Sequence, residues 1–189
     1  MLLGRLHTMP DQRRVCFAAA CTLHACSCFI RLQQEGSFTP FHADLPAVVG
    51  QSARSAWIFA AGHGHQADLT RFERELERLM NDHPDHPSKK CNEDSLVVAA
   101  EHCLRSAREE DTARNAARAA KNGHFAVCSW FMATNPDTPK TLIGSAEVLM
   151  VERRVPQCVD EISFQGRCLE LLVENMATEL PTLNDLLGA

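Results

Sequence analysis

The sequence predicts an α+β fold, with a mixed or antiparallel sheet flanked by helices and an additional helical segment at the N-terminus. Three observations carry this prediction. Residues 68–81 show the apolar spacing of three and four that is typical of an amphipathic helix. Residues 124–133 and 141–151 are two long runs rich in Val, Phe, Trp, Ile and Leu, which favour buried strands. The polar segment 134–139, with two prolines, predicts a hairpin turn between them.

The length of 189 residues fits one main domain with a small appendage. We expect an N-terminal helical segment and linker over residues 1–50 and the α+β domain over residues 51–189. The apolar run 15–30 has 16 residues, fewer than the ~20 that span a bilayer, so a transmembrane helix is not expected. An ordinary helix is the first interpretation, with a secretory signal or a mitochondrial presequence as alternatives because arginines flank the run. Residues 36–54 are expected to be an irregular linker.

Composition and charge restrict the classes of function. Hydrophobic residues make up 45% and charged residues 23%, as in folded soluble domains, and cytoplasmic localisation is therefore expected. The 19 basic and 24 acidic residues give a net charge of −5, which argues against nucleic-acid partners. The nine cysteines are an odd number in a chain too large to need disulfides, so most are expected to be buried free thiols.

The first half of the main domain is predicted to begin with a strand and continue with a helix. The apolar run 57–61 ends at Gly62 and Gly64, which is typical of a strand that leads into a turn. Asp68 is placed to cap the helix 68–81. The prolines that follow in residues 83–87 end this helix, because proline lacks an amide donor.

The second half is predicted to contain a long helix, three strands and a last helix. Residues 93–121 form the helix, and Gly123 is expected to end it in a left-handed conformation. After the hairpin, residues 158–164 are expected to form a third, shorter strand. Gln165 and Gly166 then make a turn into a helix whose apolar stripe extends to Leu180.

This order of elements over residues 55–180 resembles that of the GNAT acyltransferase superfamily. In that comparison residues 142–148 resemble the third strand of the family and residues 159–164 the fourth. Residues 165–170 occupy the position of the family motif Q/R-x-x-G-x-G/A, with cysteine and glutamate in the places of the last two small residues. The resemblance implies that the turn binds the pyrophosphate of acetyl-CoA or another acyl-CoA through free amides at a helix N-terminus.

Residue roles follow from this resemblance. The cofactor-binding amides would be those of Gln165, Gly166, Arg167, Cys168 and Leu169. Glu161, on the preceding strand, would be the general base that takes a proton from an amine acceptor, either a small molecule or a protein. The implied function is acyl-CoA-dependent N-acyl transfer. An alternative is that the same scaffold binds a protein partner without catalysis.

A second resemblance points to cysteine chemistry. The segment Cys26-Ser27-Cys28-Phe29 and the segment that begins at Gly123-His124 are similar to the nucleophile helix and the histidine strand of NlpC-type cysteine peptidases and amidases. This resemblance implies a Cys26 thiolate that is activated by His124.

Metal ligands are not predicted. Histidines, aspartate and cysteine suited to zinc occur in the segments 63–68 and 83–91, but their spacing departs from known signatures. Asp68 is better explained as a helix cap. We therefore expect the histidines to be exposed turn residues and the protein to carry no metal.

Overall fold

The chain folds into a bundle of helices. The computed structural model describes residues 2–36, 42–81, 90–108, 111–134, 155–174 and 180–188. Their helices are α1 (Leu2–His7), α2 (Asp11–Gln34), α3 (Leu45–Ala60), α4 (Gln66–Asn81), α5 (Lys90–Arg108), α6 (Thr112–Thr134), α7 (Pro156–Glu174) and α8 (Leu183–Leu187). Helices account for 87% of the described residues, and these residues contain no strand. The predicted α+β fold with a GNAT-like sheet is therefore wrong.

Helix α2 lies at the centre of the bundle and packs against α3, α5, α6, α7 and α8. Its apolar stretch is rich in small residues, and Ala18, Ala19 and Ala20 are all fully buried. Small side chains let neighbouring helices approach closely, and all residues from 15 to 23 are buried. By length and composition alone, α2 is the one described helix that could cross a membrane, and 78% of its apolar window is buried in the bundle. A core helix and a signal sequence near the N-terminus meet the same criteria.

Helices α2 and α6 lie close together at Gly123. A Cβ atom added to Gly123 would lie 3.4 Å from both the carbonyl oxygen of Cys21 and the Cβ of Ala25. The predicted left-handed stop at this residue is wrong, because α6 continues through it to Thr134. The glycine is needed for packing and not for ending the helix.

The predicted strands are helical wherever the structure describes them. Residues 57–60 lie in α3, residues 124–133 lie in α6, and residues 158–164 lie in α7. The error arises because a short apolar run that is buried on several sides looks the same in a central strand and in a central helix. The predicted strand at 141–151 lies outside the described residues.

Several boundaries also differ from the prediction. The segment 36–54, expected to be a linker, contains the start of α3, whose second residue is a proline that suits the first helical turn. The boundary expected at residue 50 falls within α3. The long helix predicted over 93–121 is divided between α5 and α6. Gln165 and Gly166, expected to form a turn, lie inside α7.

Two helices were predicted correctly. The amphipathic helix at 68–81 is α4, which buries Leu69, Phe72, Leu76 and Leu79 along one stripe. The apolar run at 15–30 lies within α2. Both predictions were carried by long segments, whose helical nature is easier to recognise than that of short apolar runs.

Candidate functional site

A buried carboxylate on α7 contacts a histidine on α2. The Glu161 side chain is 0% exposed, and its Oε2 lies 2.6 Å from Nδ1 of His24. Its other oxygen, Oε1, accepts a hydrogen bond of 3.0 Å from the side-chain amide of Gln165. Burial of a carboxylate is unfavourable unless hydrogen bonds replace those made with water. Glu161 meets this requirement, since both of its oxygens have partners inside the bundle.

The ring of His24 is held in position from two sides. An ionised carboxylate offers only acceptors, so in the contact with Oε2 of Glu161 the hydrogen belongs to Nδ1 of His24. The imidazole also stacks on the ring of Phe164, with centroids 3.9 Å apart and planes 12° from parallel. Phe164 is buried in the core and gives this stack a rigid support. The carboxylate and the aromatic ring together fix the orientation of the imidazole.

His24 lines a cleft between α2 and α7. The cleft has a volume of about 380 Å³ and is lined by His24, Ser27, Cys28, Arg31, Val127, Gln157 and Asp160. The four lining residues of α2 recur at intervals of three and four, so they form one stripe along the helix. Gln157 and Asp160 form the corresponding stripe on α7, and Val127 comes from α6. The volume is in the range of sites for small molecules.

The second nitrogen of the imidazole is available to this cleft. The His24 side chain is 28% exposed, and its Nε2 has no hydrogen-bond partner among the residues that the structure describes. A histidine that donates from one nitrogen to a carboxylate presents the other as a proton acceptor. The arrangement can therefore accept a proton from a molecule in the cleft and return it.

The thiol and hydroxyl groups beside His24 are not activated as nucleophiles. Burial, and then the negative charge of Glu161, raise the pKa of Cys28 to about 11, although Arg31 lowers it. A thiol with this pKa is ionised in only about one molecule in 10⁴ at pH 7. The hydroxyl of Ser27 donates a hydrogen bond of 2.9 Å to the backbone oxygen of Leu23. The chemistry that this cleft supports is proton transfer by the histidine.

The residues expected to bind a cofactor occupy the interior of α7. At positions 165–169 the backbone amides lie well beyond the first turn of the helix, where they bond to carbonyls of the preceding turn. The side chain of Gln165 bonds to Ala120 and Glu161. The Cys168 thiol donates to the backbone oxygen of Leu186. Free amides aimed at a pyrophosphate, on which the acyl-CoA prediction depended, are not formed here.

The remaining members of that set are spread around the helix. Leu169 is buried in the hydrophobic core, Arg167 is exposed, and Gly166 is half-buried with open space around its Cα. Glu161 lies on a helix instead of the expected strand, and it contacts a histidine. Its geometry is that of a positioning carboxylate, whereas the sequence suggested a direct base.

The residues of the predicted cysteine hydrolase are not paired. The Cys26 thiol lies 3.2 Å from the backbone oxygen of Pro46, to which it donates, and burial raises its pKa to about 12. Nδ1 of His124 lies 3.4 Å from the sulfur of Cys128, one turn along α6. The thiol and the imidazole thus contact different partners, and their arrangement does not form a nucleophile and its base.

Within the described part of the chain, no group of three or more His, Cys, Asp or Glu residues could hold a metal ion. His63 and His65 lie between α3 and α4, as the sequence predicted for turn residues. The segment 83–87 lies outside the described residues. Eight cysteines are free and buried, as expected from their number and the size of the chain.

Sequence reasoning found Glu161 and missed its partner. His24 lies in an apolar run of α2 and, in the printed sequence, stands 137 residues from Glu161. The apolar run itself indicates that His24 has a polar partner, because a histidine in the middle of a core helix needs one. The recurrence of Ser27, Cys28 and Arg31 on the same helical face was also readable, once this run was recognised as a helix.

Comparison of the chain with protein-family models, with curated proteins and with solved structures finds no match. The resemblance to the GNAT superfamily therefore has no support from relatives, and the helical fold removes the sheet on which it rested. What the chain does must be argued from the cleft.

Proposed function

We propose that the cleft between α2 and α7 binds a small polar ligand and that His24 exchanges a proton with it. The observation that carries this proposal is the buried contact of 2.6 Å between Glu161 and Nδ1 of His24. A carboxylate that orients an imidazole at the wall of a cleft is the common arrangement of an acid-base histidine.

The setting of the pair supports a functional role. The bundle already has an extensive apolar core, and the imidazole of His24 stacks on Phe164 at its surface. The carboxylate is fully buried, while the imidazole is 28% exposed at the cleft. The carboxylate of Glu161 is therefore shielded from water, whereas Nε2 of His24 is accessible from the cleft. Perturbed or paired titratable groups in a cleft are candidates for functional sites.

The other functions considered from the sequence have less support. Acyl transfer from acyl-CoA required free amides at positions 165–169, which lie inside α7. Cysteine hydrolysis required a thiolate, and burial keeps the thiols of Cys26 and Cys28 protonated. Binding of a protein partner without catalysis stays a prediction that the geometry of the cleft does not address.

Ligand titrations followed on the imidazole of His24 test the proposal. Long-range ¹H–¹⁵N spectra of the full chain would be recorded with amino acids, monocarboxylates, primary amines and sugar phosphates at millimolar concentrations. We expect at least one class to shift the His24 signals in a saturable way. Calorimetric titrations in two buffers of different ionisation enthalpy should then show proton uptake or release, which is absent in His24→Gln.

A matched control separates this effect from a general loss of histidine. His63 lies in the turn between α3 and α4, so His63→Gln should leave binding and proton exchange unchanged. If none of the four classes shifts the signals of His24, or if His24→Gln binds and exchanges protons as the wild type does, the proposed function is wrong.

A further inference from the structure

The cleft carries two opposite charges that no described residue neutralises. Arg31 on α2 and Asp160 on α7 both line it, and both residues are exposed. Within the described ranges neither side chain forms an ion pair or a hydrogen bond, with each other or with a third group. Paired opposite charges on one wall would cancel, whereas these two lie on helices that form different walls.

The positions of Arg31 and Asp160 relative to His24 follow from the helices that carry them. Arg31 follows His24 by seven residues, so it lies about two helical turns, or roughly 10 Å, further along the same face of α2. Asp160 directly precedes Glu161, which holds the imidazole. A cation and an anion thus line the same cleft as the histidine, with the half-buried amide of Gln157 one helical turn before the anion.

The size and the lining of the cleft restrict the ligand further. A volume of about 380 Å³ is near the lower end of the range for small-molecule sites, and it favours a single small molecule over a peptide segment. Val127 is buried in the bundle and gives the cleft an apolar patch from α6. Guanidinium groups bind carboxylates in a geometry with two hydrogen bonds, and carboxylates bind ammonium groups.

We infer that the ligand of this cleft is a small zwitterion of the α-amino-acid type with an aliphatic side chain. Its carboxylate would bind Arg31, its ammonium group would bind Asp160, and its side chain would lie towards Val127. This inference rests on the proposed function and names the class of molecule with which His24 exchanges a proton. The ammonium group donates a hydrogen bond to Nε2 of His24, and transfer of that proton would leave a neutral amine in the cleft and an imidazolium that Glu161 stabilises through Nδ1.

A matched ligand series tests the inference on the full chain by calorimetry. Leucine carries both charges, 4-methylpentanoate lacks the ammonium group, and 3-methylbutylamine lacks the carboxylate. We expect leucine to bind at least about ten times more tightly than either single-charge compound, because each charge-assisted contact contributes about a factor of ten in Kd.

Removal of either charge should weaken binding of only those ligands that carry the opposite charge. Arg31→Gln should weaken leucine and 4-methylpentanoate and leave the amine unaffected. Asp160→Asn should weaken leucine and the amine and leave the acid unaffected. Arg167→Gln and Glu170→Gln change exposed charges on α7 away from the cleft, so they serve as matched controls without an effect. Circular dichroism of each variant establishes that the fold is kept.

The outcomes separate the two proposals. If the acid or the amine binds as tightly as leucine, or another ligand class shifts the signals of His24 while leucine does not, the zwitterion inference is wrong and the proposed function stands. If neither this series nor any other class shifts those signals, the proposed function itself fails. Leucine binding that is unchanged in Arg31→Gln and Asp160→Asn also overturns the inference.

Discussion

Alkaline pH should unfold this protein through its buried thiols. Burial raises the pKa of Cys16, Cys26 and Cys168 to about 12, against an ordinary value of 9.0. Burial also raises the pKa of Cys21 and Cys103. Above pH 9 the unfolded chain therefore loses thiol protons that the folded chain retains. Stability is fully present below pH 9 and falls as the pH rises towards the pKa values of the folded state.

The size of this effect follows from the three thiols with a pKa of about 12. At pH 10 each unfolded thiol is about nine-tenths ionised and each folded thiol is almost fully protonated, which costs roughly 1 to 2 kcal/mol per thiol. These three thiols alone lower the free energy of unfolding by about 4 kcal/mol between pH 8 and pH 10, and the buried thiols of Cys21 and Cys103 add to this loss. This is a large part of the ~5 to 15 kcal/mol that stabilises a typical domain.

Apart from the cysteines, few side chains titrate in this range, so the pH dependence of stability reports mainly on the thiols. The chain contains no tyrosine and four lysines, and arginine remains charged throughout. Urea unfolding followed by circular dichroism at pH 8, 9 and 10, with a phosphine reductant, gives the free energy at each pH. In Cys168→Ala the loss between pH 8 and pH 10 should be smaller by the contribution of one thiol. A free energy that stays constant within about 1 kcal/mol over this range would refute the reasoning.

Three further changes are expected to alter stability. Gly166 lies inside α7 with open space around it, so Gly166→Ala should raise the free energy of unfolding by about 0.5 to 1 kcal/mol in urea unfolding, whereas a loss would indicate a turn there. Gly123→Leu should lower it by about 1 to 3 kcal/mol because a Cβ atom there would already contact α2 and a longer side chain would displace it, and an unchanged midpoint would contradict this contact. Glu161→Gln should lower it by about 1 to 3 kcal/mol through the loss of a charged acceptor for His24. The exposed control Glu170→Gln should change it by less than about 0.5 kcal/mol, and equal effects of the two would contradict a buried role for Glu161.

The sequence predicted the amphipathic helix and failed on the helices of the core. Helix α4 has one apolar face and one charged face, so its period is visible. The run at 124–133 in α6 faces other helices on several sides, and four consecutive residues, Ala126 to Ser129, are buried. Such a run has no polar face, and its aromatic and β-branched residues favoured a strand.

Only part of the candidate site could be predicted from the sequence. Glu161 was singled out as the general base that the GNAT resemblance implied, on a predicted strand that is helical in the structure. The partner, His24, could not be identified because a contact across 137 residues depends on how α7 packs against α2. Gln165 was chosen for its backbone amide, whereas its side chain supports the carboxylate. Roles that depend on side-chain geometry follow only once the helices are placed.

The hydrogen bond between Glu161 and His24 can be tested directly by ¹⁵N NMR of the imidazole at neutral pH. We expect His24 to carry its hydrogen on Nδ1, with a proton signal shifted downfield by the carboxylate, and Nε2 to respond to ligands in the cleft. In Glu161→Gln this downfield signal should move to a normal position. A His24 ring that carries hydrogen on Nε2 alone, or an Nδ1 signal unchanged in the variant, would contradict the proposed site.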